Sequence, residues 1–298
     1  FLMLLSFCLL NGYLKLLKIN NCEMVTVLSL LYFFYLFNTL LLQNWSEMLY
    51  FFFICSFIYV FMSGLLNNNK LIIFSFFILG MSALIRTPSL LFGIFFWFFI
   101  FFRFEITFKI KIICLFFFVI PILFWLLRNF YVLEYFPHTF TANYYNFFAG
   151  IQDFVDWEKI GSIVNQETND IELSNILKKN ILVSLQNNFD EFIYVRIKNL
   201  IRYYFFSLAF IFSILAFTSS LVYILVFDFK SYFKMNKILL INFIFSNLYL
   251  IIICLAFYAP RFGNIPLFFI NFFQICILLA CVKKIYKKIN FLRIFDKN

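Results

Sequence analysis

The sequence predicts an all-α integral membrane protein. We expect a polytopic bundle of about nine transmembrane helices, two of them possibly re-entrant, with one extracytoplasmic loop bearing amphipathic surface helices. Three observations predict this fold: the composition, the long apolar runs and the placement of Lys and Arg. Of the 298 residues, 64% are hydrophobic and 13% charged, and the mean hydropathy is +0.95. A soluble domain cannot hide that much apolar surface from water.

The apolar runs are uniform rather than alternating, which favours helices over strands. A bilayer core about 30 Å thick needs roughly 20 apolar residues per helix, and only helices or closed barrels satisfy their own backbone groups in hydrocarbon. The candidate spans are residues 1–17, 24–42, 48–66, 71–85, 89–102, 107–127, 205–227, 238–258 and 264–282. The spans 71–85 and 89–102 are short and are joined by Arg86, Thr87 and Pro88, so they could instead form a re-entrant hairpin.

Basic residues alternate between the connections, and positive charge is retained on the cytoplasmic side. One set of connections is strongly basic and is assigned to the cytoplasm: Lys15, Lys18, Lys70, Arg103, Lys109, Lys111, Lys230, Lys234, Lys237, Lys283, Lys284, Lys287, Lys288, Arg293 and Lys297. The opposite short connections carry only Arg86 and Arg261. This pattern predicts a cytoplasmic C-terminus and explains the net charge of +10 through orientation and anionic lipid, without nucleic acid.

The chain is accordingly divided into four parts. Residues 1–127 form transmembrane helices, 128–204 the extracytoplasmic loop with juxtamembrane helices, 205–282 further transmembrane helices, and 283–298 a basic cytoplasmic tail. Two stretches of the loop have apolar residues at helical spacing, which predicts helices lying along the outer membrane surface. They are Leu173, Ile176, Leu177, Ile181 and Leu185, then Phe189, Ile193, Ile197, Leu200 and Tyr204.

Several classes of site are excluded by what the sequence contains. The seven cysteines lie mostly in apolar runs without CxxC spacing, so neither a disulfide framework nor a zinc site is predicted. His138 is the single histidine, which excludes metal sites that need several histidines. No phosphate-binding loop is present. Any reaction would use a membrane-borne substrate or occur at the outer face.

Charged residues at the predicted outer helix ends are the candidates for a site: Glu47, Arg86, Arg128 and Arg261, with Asn44, Asn129 and Asn264 beside them. Ionisable groups at membrane depth are costly and usually face a cavity or a partner, so we expect a shared polar cavity. Arginines there suit a phosphate or pyrophosphate group. The alternative for each is an interfacial anchor that snorkels to the head groups.

Glu47 opens a predicted helix, where an acid can simply cap the first turn. Its functional alternative is a carboxylate that orients an acceptor hydroxyl or holds a divalent metal over a donor phosphate. His138, Asn143 and Tyr145 follow Arg128 in the outer loop and could line a sugar or acceptor site, although an ordinary surface loop is the better explanation.

Four local patterns resemble the polyprenol-phosphate-sugar-dependent membrane glycosyltransferases, the GT-C type that includes protein mannosyltransferases, glycosyltransferase family 39 and the lipid A aminoarabinose transferase. The patterns are Ser46-Glu47-Met48-Leu49, Gly80 to Pro88, Trp125-Leu126-Leu127-Arg128-Asn129-Phe130, and Pro260-Arg261-Phe262-Gly263-Asn264-Ile265-Pro266. They are similar to the family's acid at an outer helix start, "LxRP" turn, "WxxRN" helix end and late "RYxxP" turn. The second departs from the family, because Thr87 separates Arg86 from Pro88.

The resemblance implies transfer of a sugar from a polyprenyl-phosphate carrier to a lipid, glycan or protein acceptor, at the outer side of the bacterial cytoplasmic membrane and with inversion at the anomeric carbon. In that family an aspartate in the first outer loop is the base, a position upstream of Phe1, so we expect a fragment that is inactive alone. Glu47 matches an auxiliary acid, and Arg86, Arg128, Asn129 and Arg261 match substrate-binding positions. No cofactor is firmly expected beyond a possible divalent metal.

Two other functions are compatible with many spans and outer arginines. An O-antigen or polysaccharide polymerase also has a large outer loop, but it does not explain the LxRP-like turn or the acid-led helix. A flippase or transporter for lipid-linked sugars commonly has repeated halves and broken helices, and the sequence contains no visible repeat.

Overall fold

A computed structural model describes residues 2–17, 25–26, 29–30, 45–86, 88–102, 106–133, 179, 183, 186–187, 189–205, 208–256 and 264–295. The described residues form helices and connections, with no strand among them. The helices are α1 (Leu2–Leu16), α2 (Trp45–Asn67), α3 (Asn69–Ile85), α4 (Pro88–Phe101), α5 (Phe108–Leu133), α6 (Phe189–Phe205), α7 (Leu208–Val226), α8 (Phe229–Ala256) and α9 (Asn264–Phe295).

Three of these helices are long and apolar enough to cross a membrane. The apolar stretches are Glu47–Leu66 in α2, Phe108–Val132 in α5 and Ile265–Lys288 in α9. Other apolar stretches, such as Leu2–Leu16 and Asn69–Ile85, are shorter. The predicted helical membrane protein is thus confirmed in this coarser form, while about nine crossings stay a prediction.

Helix ends lie well beyond the predicted spans in three places. α5 continues to Leu133, past the predicted boundary at residue 127, so that Arg128 and Asn129 lie within a helix rather than a loop. α8 begins at Phe229 instead of residue 238. α9 continues to Phe295, so the basic segment predicted as a tail begins as the last turns of a helix. These differences have one cause: a hydropathy boundary marks where the apolar surface ends, and helical hydrogen bonding can continue beyond it. The predicted span 24–42 lies almost entirely outside the described residues.

Helices α2 to α5 run up and down beside one another. The α2–α3 connection is tight: Asn68 Oδ1 accepts a hydrogen bond from the Lys70 amide at 2.9 Å and caps α3. At the end of α4, Lys111 of α5 donates to the Phe101 carbonyl at 2.6 Å. The starts of α2 and α4 and the ends of α3 and α5 therefore lie at one end of the bundle, which we call the Glu47 end.

Helix α9 forms the centre of packing for the remaining helices. Its residues from Ile265 to Ile277 are all buried. The Phe268 ring meets Phe51 of α2 edge to face at 5.0 Å between centroids and Phe7 of α1 at 6.0 Å. α1 is joined to α8 by a polar contact, since Asn242 Nδ2 donates to Tyr13 Oη at 2.8 Å. The first turns of α9 thus lie at the Glu47 end.

Two lysines complete helix C-termini at the opposite end. Lys288 Nζ donates to the Val226 carbonyl at 2.7 Å and lies 4.7 Å from the centroid of the Phe227 ring. Lys111 Nζ combines its bond to the Phe101 carbonyl with a distance of 5.5 Å to the Phe101 ring. The last carbonyls of a helix have no partner within it and carry partial negative charge. Each ammonium therefore satisfies one carbonyl while the aromatic ring stabilises its charge.

A glycine allows α3 and α5 to approach closely. A Cβ at Gly80 would lie 2.4 Å from the Phe118 carbonyl oxygen and 3.1 Å from Pro121 Cγ. Small residues permit such backbone contact between membrane helices. Pro121 lies inside α5 and removes one amide from its hydrogen-bond ladder. Gly80 thus fits against the one turn of α5 that a proline alters.

We expect Gly80→Ala to lower the free energy of unfolding by about 1–3 kcal/mol, because backbone must move to admit the methyl group. Thermal unfolding in detergent measures this change. Gly12→Ala is the matched control, since its Cβ would meet only the Tyr59 ring, at 2.7 Å, and a side chain can turn away. Equal stability of the two variants would mean that α3 and α5 are not in backbone contact.

Lys288→Met should lower the free energy of unfolding by about 1–3 kcal/mol, because the Val226 carbonyl loses its charged donor. Lys287→Met removes the same charge from an exposed neighbour. Its free energy of unfolding, measured by thermal unfolding, is expected to stay within about 0.5 kcal/mol of that of the parent protein. A similar loss in both variants would indicate a general charge effect instead of a helix cap.

Candidate functional site

A buried ion pair joins α2 to the end of α3. Arg86 Nη2 lies 2.7 Å from Glu47 Oε1. The Glu47 side chain is 3% exposed and that of Arg86 17%. Charges removed from water in this way are stable only with a close partner of opposite sign. Two of the four charged residues predicted to share a polar cavity are thus in direct contact.

Local backbone structure explains how the two side chains meet. Glu47 lies in the first turn of α2, where a carboxylate is favoured by the helix dipole. Arg86 is the C-cap of α3 and has extended φ and ψ angles of −146° and 122°. Its backbone amide still donates to the Ser82 carbonyl at 3.0 Å. Pro88 begins α4, a position where its missing N–H costs nothing. The sequence therefore ends one helix at Arg86 and starts the next at once.

A line of buried hydroxyl groups extends from beside the ion pair into the bundle. The Ser82 and Ser89 Oγ atoms are 2.9 Å apart, and Ser89 Oγ is 3.0 Å from Tyr50 Oη. All three residues have no exposed surface. Tyr50 is one helical turn after Glu47, and Ser82 is one turn before Arg86. These hydrogen bonds hold α2, α3 and α4 in a fixed register beneath the charged pair.

Sequence reasoning missed these three hydroxyl residues. Their spacing carries a signal, because residues three and four apart share a helix face, and both Tyr50 and Ser82 are at that distance from a candidate charge. Ser89 follows Pro88 in the turn itself. Serines and tyrosines are common in apolar helices, so this signal becomes visible only when the ion pair is known.

Arg128 and Asn129 are in a different environment. Arg128 is exposed near the end of α5, and Asn129 is 5% exposed. Arg128 Nη1 donates to Asn129 Oδ1 at 3.0 Å. Both residues lie at the Glu47 end, as predicted, but the described contacts do not join them to the ion pair. Arg128 is therefore available to an approaching anionic group.

The remaining candidates fall outside the described residues. They are Arg261 in the connection before α9 and His138, Asn143 and Tyr145 in the segment after α5. Their assignment to a phosphate site and to a sugar or acceptor site stays a prediction from the sequence.

A buried arginine on α6 was also missed. Arg196 is 1% exposed, and its guanidinium carbon lies 4.8 Å from the centroid of the Phe192 ring. The amphipathic helix predicted around Ile193 and Ile197 is present, and Ile197 is 50% exposed. Its buried face instead includes Phe192 and Arg196. The spacing of apolar residues does not reveal a charged residue on the buried face of an amphipathic helix.

The described residues do not fit a divalent metal at this site. Calcium and magnesium prefer several oxygen ligands, usually with more than one carboxylate or with substrate phosphates. Glu47 Oε1 already pairs with a guanidinium at 2.7 Å, and no group of three or more His, Cys, Asp or Glu side chains occurs in the described part of the chain.

Comparisons with protein-family models, with curated proteins and with solved structures find no match to this chain. The resemblance therefore depends on the four sequence patterns and on which of their residues the structure brings into contact.

Removal of either charge should expose the cost of the buried pair. We expect Glu47→Gln and Arg86→Met each to lower the free energy of unfolding by about 3–5 kcal/mol, because each leaves an uncompensated buried charge. The double variant should lose much less than the sum. Unfolding titrations of the four proteins in mixed micelles measure this coupling. Additive losses would show that the two side chains do not interact. Lys109→Met, which changes an exposed cation at the other end of the bundle, serves as the control.

Proposed function

We propose that this protein is a polyprenol-phosphate-sugar-dependent membrane glycosyltransferase of the GT-C type. In this proposal it moves a sugar from a polyprenyl-phosphate donor to a lipid, glycan or protein acceptor on the extracytoplasmic face of the bacterial cytoplasmic membrane. The chain crosses the membrane about nine times, with α3 and α4 either as two of these spans or as a re-entrant hairpin, and the C-terminus is cytoplasmic. The Glu47 end is the outer end.

The contact between Glu47 and Arg86 is the observation that carries the proposal. These residues belong to two of the four patterns that resemble the family, and they are 39 positions apart in sequence. Both residues were expected to share a polar cavity, and their contact brings two of these patterns together at the Glu47 end. A single converging site is what a shared function requires.

We assign Arg86 to the phosphate of the donor. A guanidinium has five N–H donors in a planar fork that matches phosphate oxygens, and Arg86 is buried enough for its charge to act in a low dielectric. Glu47 is the auxiliary acid of this site, and its role is positioning: it fixes the direction of the guanidinium before the donor arrives. Arg128, Asn129 and Arg261 complete the recognition of the phosphate.

The reaction follows from the chemistry of the donor. An acceptor hydroxyl attacks the anomeric carbon, the bond between that carbon and the phosphate oxygen breaks, and the configuration inverts. The polyprenyl phosphate leaves with the electron pair of that bond, and the hydroxyl proton passes to a base. Arginine cations stabilise the negative charge that develops on the leaving phosphate.

Arg128→Ala tests donor recognition without disturbing the ion pair. We expect it to weaken binding of a polyprenyl monophosphate by about 1.5–3 kcal/mol, as for a charged hydrogen bond. Native mass spectrometry of the protein in nanodiscs measures the bound fraction. The matched control is Lys109→Ala, which removes an exposed cation from the other end of the same helix and should bind like the parent protein.

Arg86→Lys is an independent test of donor recognition. It keeps a positive charge opposite Glu47 but loses the planar fork of the guanidinium. Donor binding should fall about tenfold or more for a charged bond lost. Unchanged binding in both arginine variants would overturn the phosphate assignment. A labelled donor distinguishes a transferase from a flippase. A transferase releases polyprenyl phosphate, whereas a flippase leaves the glycosidic bond intact.

A further inference from the structure

A cavity lies between α7, α8 and α9. Its lining residues are separate from those of the ion-pair site. Its volume is about 450 Å³, within the range of small-molecule sites. Most of its lining is apolar, including Phe217, Leu240 and Phe243. We call it the α7–α9 cavity.

Polar groups mark the two ends of this cavity, and none of them is charged. Ser220 Oγ and Tyr232 Oη are 3.0 Å apart at one end. At the other end, Gln274 Nε2 donates to Ser213 Oγ. Ser213 and Ser220 are seven residues apart on α7, which corresponds to about 10 Å along a helix. The cavity is therefore elongated, with a polar group at each end and an apolar middle.

The hydrogen bonds at the Tyr232 end specify what an occupant must supply. Ser220 Oγ donates its hydrogen to the Ala216 carbonyl at 2.6 Å. Tyr232 is then the donor in the contact with Ser220, because each hydroxyl has a single hydrogen. The Tyr232 oxygen keeps its acceptor capacity, and Tyr232 is one of the residues that line the cavity. An occupant that donates a hydrogen bond, such as an alcohol, satisfies that oxygen.

The position of the cavity fits an occupant that comes from the membrane. Tyr232 is in the first turn of α8, at the end of the bundle that carries Lys288 and Lys230. Phe217 and Ile214 line the cavity and are 65% and 48% exposed, so the mouth opens on the outward side of α7. A lipid chain could enter sideways, with its hydroxyl near the interface and its tail reaching toward Gln274.

We propose that the α7–α9 cavity binds a neutral long-chain alcohol of the membrane, with its hydroxyl on Tyr232 and its chain along α7. The described side chains that line the cavity are uncharged. A charged head group placed beside them would have no partner among them, and burying an unpaired charge is costly, so a neutral occupant is favoured. The site is independent of the proposed sugar transfer and of the Glu47–Arg86 pair.

Photolabelling of the protein in nanodiscs tests the site. The probe is a fatty alcohol with a mid-chain diazirine and a terminal alkyne, and the alkyl phosphate of the same chain is the charged comparison. We expect the alcohol to label peptides from α7 and α9 around residues 213–220 and 274–277, and the phosphate to label them at least tenfold less.

Two variants locate the site. Ala216→Phe places a ring in the cavity and should reduce alcohol labelling of these peptides at least tenfold. Leu225→Phe is the control on the same helix, at a side chain that is 86% exposed and does not line the cavity. Tyr232→Phe removes the hydroxyl, and with it both the acceptor for the alcohol and the donor to Ser220 Oγ. It should reduce labelling about three- to tenfold, the value of one hydrogen bond to the alcohol.

Three results would overturn the proposal: equal labelling by the alkyl phosphate, labelling in Ala216→Phe as strong as in Leu225→Phe, or labelling unchanged by Tyr232→Phe. The last variant loses a single oxygen and tests the site even if Ala216→Phe fails to fold. Donor binding at the Glu47 end is expected to stay unchanged in all three variants, so failure here is distinguishable from failure of the proposed transferase.

Discussion

Polar groups within apolar surroundings must find their partners inside the protein, and this requirement organises the whole bundle. Within a helix, Ser56 Oγ donates to the Phe52 carbonyl at 2.8 Å. Between helices, Asn242 reaches Tyr13, and Lys288 reaches the Val226 carbonyl. Lipid tails are as apolar as leucine, so hydrophobicity alone cannot decide which membrane helices are neighbours. Polar contacts and close backbone approaches make that choice.

The Glu47–Arg86 pair is the most costly example of this rule. Replacing a buried ion pair by apolar residues is often neutral or stabilising, so stability gives little reason to keep one. Here the pair lies above a hydroxyl line formed by Tyr50, Ser89 and Ser82, and it holds a guanidinium in one direction. A fixed cation at the end of a membrane bundle is useful to an anionic lipid head group. The proposed function is therefore based on this contact.

The sequence was sufficient for the helical class and for most helix positions, because apolar composition and run length dictate both. The sequence was insufficient where a specific contact, rather than the average composition of a segment, determines the structure. α5 extends to Leu133 because helical hydrogen bonds continue past Arg128, whose side chain pairs with Asn129. Glu47 and Arg86 were both predicted as site residues, yet no periodicity specifies that they pair with each other. Tyr50 was missed because an aromatic residue in an apolar helix is unremarkable until its hydroxyl has a partner.

Arg86 and Arg128, which both lie at the Glu47 end, differ in how firmly their side chains are held before a ligand binds. This difference separates their roles in the proposed function. Arg86 is held by a carboxylate at 2.7 Å, so its side-chain entropy is already lost before a phosphate binds. Arg128 is exposed, and ordering a long side chain on binding costs up to about 2 kcal/mol. A preorganised cation therefore orients the donor, whereas an exposed cation captures it. If Arg86 orients the leaving phosphate, its replacement should affect the rate of transfer more than the binding of donor, and Arg128 the reverse.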